Sequence, residues 1–333
     1  METMHSPLIN SSFLDGFPQL VIDRGGDPYQ LAKQVGFDSE IFEGKNTLIR
    51  FDRHVQLLDL AANTLDCPTL GLELAGYQNH SIFGPLASLA LKNATVGESI
   101  EQMSKHSHIQ VQGVEIRVTT SADMAQIQLH NNFPGISDSI RYQDHSLTII
   151  YQLLQFVRNG HFTLRSVFFR HSGADDNGAY SRTFNCPVAF NQPFIGLSFE
   201  ARHLDAPIAQ EAKELPVILR EHLETRHRDN LVDQVSRVIS QLLVTEDCSI
   251  DTVAHAMGYS SRTLQRKLLN EDTNFQSLLN NVRCDQARDY LSNPYYRLTD
   301  IAAILGYSEL SAFSRSFKRW FGISPQQWRK QVS

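Results

Sequence analysis

Residues 249–260 read SIDTVAHAMGYS, and residues 297–308 repeat the pattern as RLTDIAAILGYS. Gly258 and Gly306 hold the same place in the two copies, 48 residues apart. Each copy predicts a short apolar helix that ends at Gly-Tyr-Ser, followed by a second helix that carries arginine. This layout is typical of a helix-turn-helix, so the chain is predicted to contain two such motifs in tandem.

The second helix of the first motif is predicted to begin after a cap at Ser260 or Ser261. Leu264 and Leu268 are four residues apart and therefore share one face, which we expect to pack on the core. The opposite face is predicted to reach a DNA major groove and to contact bases through Arg262, Gln265 and Arg266. Arginine pairs with guanine and glutamine with adenine, so these residue types suit that position.

The second motif repeats this pattern with Phe313 and Phe317 as the pair that faces the core. Ser308 is expected to cap its second helix. The outward face is predicted to carry Leu310 and three candidates for base contact: Ser311, Ser314 and Arg315. Contacts to phosphates are predicted for three further cations: Lys267, Lys318 and Arg319.

The remaining C-terminal elements are predicted to hold the two motifs together. A helix over 229–243 opens this part, and a long amphipathic helix over 274–291 joins the motifs and ends before Pro294. Pro325 is expected to start a closing helix that contains Trp328. Because a continuous helix is stiff, the long one should fix the separation of the motifs.

The charge of the chain is unevenly distributed. The whole chain carries 30 Lys+Arg against 36 Asp+Glu, a net charge of −6 that by itself argues against nucleic acid as a partner. Residues 226–333, however, hold 14 Lys+Arg against 11 Asp+Glu, whereas residues 1–225 hold 16 against 25. Positive charge is thus concentrated where the motifs are predicted, which supports double-stranded DNA as the partner.

Several other classes of protein are disfavoured. The cysteines at positions 67, 186, 248 and 284 are scattered singly and predict reduced thiols, neither a disulfide framework nor a zinc site. The longest strongly apolar stretch, 147–157, is too short for a membrane span, and no secretory signal is visible, so a cytoplasmic protein is predicted. No phosphate-binding loop, nucleophile elbow or metalloprotease motif occurs, so we predict no enzyme, cofactor or metal.

The first two thirds of the chain mix helical and strand patterns. Helices are predicted over 31–35, 51–65, 68–75, 96–106 and 137–157, and strands over 110–119, 125–130, 164–171, 188–190 and 196–199. Thr95 is predicted to cap the fourth helix and Glu98 to complete a capping box. The fold class is therefore an α+β N-terminal domain followed by an all-α C-terminal domain with two helix-turn-helix motifs joined by a long helix.

Residues 229–330 resemble the DNA-binding domain of the AraC/XylS family of bacterial transcription regulators. The match rests on GYS at 306–308 and FSRSFKRWFGISP at 313–325. The resemblance implies two motifs in successive major grooves on one face of the DNA, about one helical turn (~34 Å) apart. This family often has glycine in the turn after the first recognition helix, where this chain has Thr273.

Residues 20–208 resemble the arabinose-binding-type N-terminal domain found in one branch of the same family. The matching residues include Gly71-Leu72, FGPL at 83–86 and FRH at 169–171. The resemblance implies a domain that senses a small molecule or forms dimers. Residues 209–228 are interpreted as the linker to the DNA-binding domain.

Two charged or polar positions on a mostly apolar helix are candidates for ligand binding. Arg141 and His145 are predicted to line a pocket, because polar groups on a buried face need partners. The alternative is that this helix face is partly exposed. His106 and His108 are interpreted as surface histidines, since no third metal ligand lies at a fitting spacing.

Three functions remain open at this point. The first is a transcription regulator, an activator that responds to a small-molecule effector, with RNA polymerase as a partner and a homodimer that recognises repeated sites. The second is an enzyme of DNA-alkylation repair coupled to DNA binding, which needs a zinc-clustered cysteine; isolated Cys67 and Cys186 argue against it. The third is a constitutive architectural DNA-binding protein without an effector, which only ligand dependence of DNA binding would distinguish from the first.

Overall fold

The computed structural model divides the chain into two compact units, Met1–Lys213 and Glu214–Ser333. The structure describes residues 7–42, 48–78, 82, 91, 93–107, 111, 113–131, 133–173, 177–209, 230–243, 248–291 and 296–332. The first unit combines sheets with helices, and the second is helical among its described residues. The predicted fold class is therefore confirmed. Pro294, residues 83–86 and all of the predicted linker except Ala209 lie outside the described residues.

The described strands of the first unit form two sheets. A two-stranded sheet pairs β1 (Leu8–Asn10) with β2 (Leu48–Arg50). A five-stranded sheet has the order β3-β4-β7-β5-β6, and only its β5–β6 pair is parallel. Its strands are β3 (Val114–Ser121), β4 (Met124–Asn131), β5 (Leu164–Phe168), β6 (Val188–Ala189) and β7 (Ile195–Glu200).

Helices cover this sheet and one another. The described α-helices of the first unit are α1 (Phe17–Asp23), α2 (Pro28–Gln34), α3 (Phe51–Thr64), α4 (Leu70–Gly76), α5 (Val96–His106), α6 (Pro134–Ser137), α7 (Ile140–Val157) and α8 (Asn177–Phe184). The predicted capping box at α5 is confirmed: the Thr95 hydroxyl accepts a bond from the Glu98 N–H, and the Glu98 carboxylate accepts one from the Thr95 N–H.

The close packing of α4 on α7 depends on Gly71. A Cβ atom at this position would clash with the carbonyl oxygen of Arg141 and lie 2.9 Å from the Cβ of Asp144. Any side chain here would push the two helices apart, because neither obstacle is the free end of a flexible group. Gln152 adds to the contact by donating to the carbonyl oxygen of Ala75 at 2.9 Å.

The second unit consists of seven described α-helices. They are α9 (Leu231–Leu242), α10 (Ile250–Ala256), α11 (Ser261–Asn270), α12 (Phe275–Leu291), α13 (Leu298–Ile304), α14 (Leu310–Phe321) and α15 (Pro325–Val332). The first motif is α10 and α11, the second is α13 and α14, and α12 is the long helix predicted to join them. Pro325 begins α15, as predicted.

Each motif has an apolar core built by the residues that the helical spacing predicts. Leu264 and Leu268 are fully buried with α9 residues and with Val253 and Ala254. In the second motif, Phe313 and Phe317 are fully buried, and Trp328 of α15 packs edge-on against Phe317. Truncating any of the four recognition-helix core residues is therefore expected to cost about 2–5 kcal/mol.

The caps of the recognition helices differ between the motifs. Ser260 accepts a bond from the N–H of Thr263 and caps α11, which resolves the predicted choice between Ser260 and Ser261. The predicted cap at Ser308 is wrong: α14 begins one residue later, after Glu309, and no side chain caps it. The second copy has one more residue at its turn than the first, so the N-cap position falls on Glu309 instead of on the repeated serine.

The turns of the two motifs use equivalent glycines in unequal surroundings. Both Gly258 and Gly306 have positive φ, at 71° and 69°. A Cβ on Gly258 would meet no atom within 4 Å, whereas one on Gly306 would clash with the carbonyl oxygen of Leu243. Of the two turns, the second is therefore the one that packs tightly against Leu243, the residue that caps the C-terminus of α9.

We predict that Gly306→Ala destabilises the second unit more than Gly258→Ala, by at least about 1 kcal/mol, because only the former adds a clash to the strain of positive φ. Urea unfolding of the full chain, followed by tryptophan fluorescence, measures this directly. Both tryptophans, Trp320 and Trp328, belong to the second unit and report on it alone. Equal losses would show that the turn of the second motif does not depend on contact with Leu243.

Candidate DNA-binding surface

The outward face of α11 is exposed and mostly polar, with Leu269 as its apolar member. Because Leu264 and Leu268 anchor the opposite side, Arg262, Gln265 and Arg266 all face solvent. The bond from the Thr263 N–H to the Ser260 hydroxyl, 3.2 Å long, fixes the first turn from which they project. The sequence-predicted base-contact candidates of this motif thus lie together on one accessible surface.

The outward face of α14 is less uniform. Ser311 and Arg315 are exposed, whereas Ser314 is half-buried between them. The Ser311 hydroxyl donates to the Glu309 carboxylate at 2.9 Å. Glu309 was not among the predicted contacts, although a carboxylate at this position can accept a bond from the exocyclic amine of cytosine. The sequence could have indicated Glu309, because it directly precedes the recognition helix. The expected cap at Ser308 instead placed Glu309 inside that helix.

The arginines of both outward faces are available for an external partner. No described residue forms an ion pair or a hydrogen bond with Arg262, Arg266 or Arg315. By contrast, Arg288 on α12 pairs with Asp285. Guanidinium groups that have no partner among the described residues can donate to guanine edges and to phosphates.

The three cations predicted to contact phosphates differ in their exposure. Lys318 and Arg319 are exposed near the end of α14. Lys267 is half-buried, and its Nζ lies 5.2 Å from the ring centroid of Tyr259, an arrangement that stabilises the cation within the fold. Lys267 therefore faces a competing contact that the other two cations lack.

The connecting helix α12 holds the turn of the second motif through Arg283. Its guanidinium donates to the carbonyl oxygens of Leu305 at 2.9 Å and of Gly306 at 3.2 Å. The same group lies 4.5 Å from the ring centroid of Tyr307. Hydrogen bonds from charged donors contribute about 1.5–3 kcal/mol, which exceeds the roughly 0–1 kcal/mol of an exposed ion pair. This interaction fixes the second motif on the helix that leaves the first.

The turn after α11 differs from the family pattern that places glycine near Thr273. The left-handed residue is Asp272, with φ of 52°, and the N–H of Thr273 donates to the carbonyl oxygen of Leu268 at 3.0 Å. Aspartate tolerates this conformation better than most residues. The turn therefore forms without glycine, and Thr273 adopts no strained geometry.

The two candidate ligand residues of the first unit are separated by the structure. His145 is 2% exposed and lines a small apolar cavity, so a partly exposed position for it is excluded. Arg141 is half-buried and lines neither this cavity nor the open polar one beside His171. The sequence did not single out His54, which accompanies His145 in the cavity wall.

The described residues offer neither a metal site nor a membrane span. Among them, no cluster of three or more His, Cys, Asp or Glu side chains is arranged to hold a metal ion. No described helix is both long enough and apolar enough to cross a membrane. His108 of the histidine pair lies outside the described residues.

The paired helix-turn-helix motifs define a DNA-binding protein, and comparison with known proteins gives its family. Residues 25–208 match the family described as the arabinose-binding domain of AraC transcription regulator, and residues 253–331 match a helix-turn-helix domain family. The first match alone covers more than half of the chain. The chain belongs to the AraC family and is a DNA-binding transcription regulator.

Named relatives are similar in different parts of the chain. The HTH-type transcriptional regulator VirS of Mycobacterium tuberculosis is 28% identical over 97% of this chain and 96% of its own length. The transcriptional activator NphR of a Rhodococcus species is 34% identical over 32% of this chain and 31% of its own. The crystal structure of transcriptional regulator CdpR from Pseudomonas aeruginosa matches with 25% identity and a TM-score of 0.38, covering 79% of this chain and 87% of that one.

We predict that Arg266→Ala and Arg315→Ala each weaken specific DNA binding by about 1–3 kcal/mol and leave folding intact, since both side chains are exposed and bond to no described residue. Footprinting titrations at fixed salt, on a fragment that the full chain protects, check the loss. Arg117→Ala, at an exposed arginine of the first unit, is the matched control for the change in charge. Unchanged affinity in either of the two test variants would refute the orientation of its recognition helix.

Proposed function

We propose that this protein binds promoter DNA through both motifs at once and changes transcription in response to a small-molecule effector. The observation that carries the proposal is the pair of outward faces with free arginines, on recognition helices joined by α12. A single exposed arginine is common on protein surfaces. Arginines with no partner among the described residues, at equivalent places in a repeated motif, favour a common partner, and a DNA duplex presents equivalent grooves at regular intervals.

The two faces are proposed to share the work of recognition. Base contacts fall to Arg262, Gln265 and Arg266 in one groove and to Ser311, Ser314 and Arg315 in the next. Lys318 and Arg319 are assigned to phosphates, and Lys267 joins them if the DNA displaces it from Tyr259. Residues 301–333 support this assignment, because they hold five Lys+Arg and a single acidic residue, Glu309.

The first unit, assigned to residues 20–208 with a linker over 209–228, is proposed to bind the effector and to form a homodimer on repeated DNA sites. Activation, with RNA polymerase as the partner, is favoured by the similarity of the DNA-binding part to the transcriptional activator NphR. We place the protein in the cytoplasm, where bacterial DNA lies, and assign it no catalytic activity, since the relatives named above are regulators.

Genome-wide binding of the full chain tests this function against an Arg266→Ala/Arg315→Ala double variant. We expect discrete peaks at promoters, each with a repeated site, that the double variant loses. Neighbouring genes would then suggest the chemistry of the effector. Diffuse occupancy that both proteins share would contradict sequence-specific regulation and favour architectural binding, and single sites under every peak would contradict the homodimer.

A further inference from the structure

The first unit contains an apolar cavity of about 80 Å³ between its helices and the β3–β4 hairpin. Helix α7 supplies one wall with Tyr142, His145 and Ile149, and α5 supplies Met103. Ile116 of β3 lies among the residues that complete the lining. An engineered apolar cavity of about 150 Å³ accommodates benzene. This smaller one therefore suits a body of about three or four carbon atoms.

One side chain in the cavity wall has no partner within the described part of the protein. His54 is completely buried, and neither Nδ1 nor Nε2 of its ring forms a hydrogen bond with a described residue. Leaving a buried polar group unbonded costs about 1–3 kcal/mol. A neutral imidazole has one donor and one acceptor, so a hydroxyl group, which can do both, is its natural complement.

The second histidine of the wall is held in a fixed orientation. The side-chain amide of Gln78 donates to the carbonyl oxygens of Phe13 at 2.9 Å and Asp15 at 3.0 Å. Its remaining oxygen lies 2.7 Å from Nε2 of His145, which therefore donates to it. The ring centroid of His145 is 6.4 Å from that of His54. The two histidines are thus polar groups of the lining, which also includes Ser107, Tyr142 and Ser146, and of the two histidines only His145 is bonded to a described residue.

The wall is uncharged at neutral pH. Burial lowers the pKa of His54 and of His145 to about 3, and the proximity of His145 lowers the first further. No Lys, Arg, Asp or Glu is among the described residues of the lining. A carboxylate or ammonium group entering the cavity would lose its hydration without gaining a counter-ion, which costs several kcal/mol.

A sugar is a poor match for the same wall. Each hydroxyl of a polyol needs a partner when it is buried, whereas most of the lining is apolar and the Ser107 hydroxyl already donates to the carbonyl oxygens of Ser104 and Val114. Polar side chains such as Gln143, Arg170 and Gln192 instead line a separate, open depression of about 570 Å³. In that depression, Arg170 is already paired with Asp138 at 3.5 Å.

We propose that the cavity beside His54 binds a small uncharged molecule with an apolar body and one hydroxyl or carbonyl group, and that this molecule is the effector. The role of this molecule as the effector rests on the proposed function, whereas its binding in the cavity does not, because that binding requires no DNA. The apolar body fills the space against Met103 and Ile149. The single polar group bonds to the ring of His54.

Titration of the full chain with 1-butanol, followed by NMR of labelled isoleucine δ1 methyl groups, tests the binding. We expect saturable shifts at the isoleucines of the lining, Ile9, Ile116, Ile149 and Ile150, and none at Ile301 or Ile304 of the second unit. Butyrate and L-arabinose should bind at least about tenfold more weakly, since one brings a charge and the other several hydroxyls. Shifts spread over both units, or equal binding of L-arabinose, would overturn the proposal.

Three variants test the contact with His54, the need for free volume in the cavity and the location of the binding site. His54→Leu should fold at least as stably as the parent, since it removes an unbonded polar group, yet bind 1-butanol about fivefold more weakly. Ile150→Phe should abolish binding by filling the cavity. Gln192→Ala, in the open depression, is the matched control and should bind normally. Undiminished binding by both His54→Leu and Ile150→Phe would place the molecule elsewhere and overturn the assignment.

Footprinting with and without 1-butanol tests the second part of the inference. A saturating concentration should shift the midpoint of DNA protection by at least about threefold in the parent and not in Ile150→Phe. Methyl shifts without any change in DNA affinity would refute the role as effector. If the parent chain protects no specific site while the methyl shifts persist, the proposed DNA-binding function fails and the cavity assignment stands.

Discussion

The geometry of the second unit depends on the hydrogen bonds between helix α12 and the turn of the second motif. Arg283, in the middle of α12, donates to the carbonyl oxygens of Leu305 and Gly306, just after the end of α13, and lies over the ring of Tyr307. On the other side of that turn, Gly306 lies against the carbonyl oxygen of Leu243 at the end of α9. The turn of the second motif is therefore held by the helix before the first motif and by the helix after it.

These two contacts explain why the two motifs can act together. Two helix-turn-helix motifs on a flexible tether would bind DNA as independent modules, with a cost in entropy for each placement. Because α12 is continuous and Arg283 fastens it to the second turn, α11 and α14 are presented in one arrangement. The proposed DNA contacts would then be made by one preorganised surface, which lowers the entropic cost of binding.

Local patterns of the sequence were sufficient to predict much of this surface. The spacing of Leu264 and Leu268, and of Phe313 and Phe317, fixed which faces of the recognition helices are buried and hence which residues are exposed. The prediction at Ser308 failed because one additional residue in the second turn moves the helix start to Glu309. The base and phosphate contacts themselves remain predictions, since exposure shows that a side chain is available and not what it touches.

The features that could not be predicted depend on residues far apart in the chain. Arg283 is polar on a predicted amphipathic helix, and nothing near it in sequence indicates that its partners are 22 and 23 residues away. The cavity of the first unit is similar: His54, Gln78 and His145 belong to different elements and meet only in the folded domain. A single histidine on an apolar helix predicts a buried polar group, but its surroundings decide whether that group is satisfied.

The central claim is that the two motifs bind as one rigid body, and the spacing between their DNA sites tests it most directly. Each motif of one chain is proposed to read its own half-site. On a promoter site bound by the full chain, inserting about five base pairs between these two half-sites moves the second to the opposite face of the DNA, and inserting about ten moves it a full turn away. The structure predicts that both insertions reduce affinity to that of a single half-site. Full affinity at either spacing would show that the motifs move independently and would contradict the account.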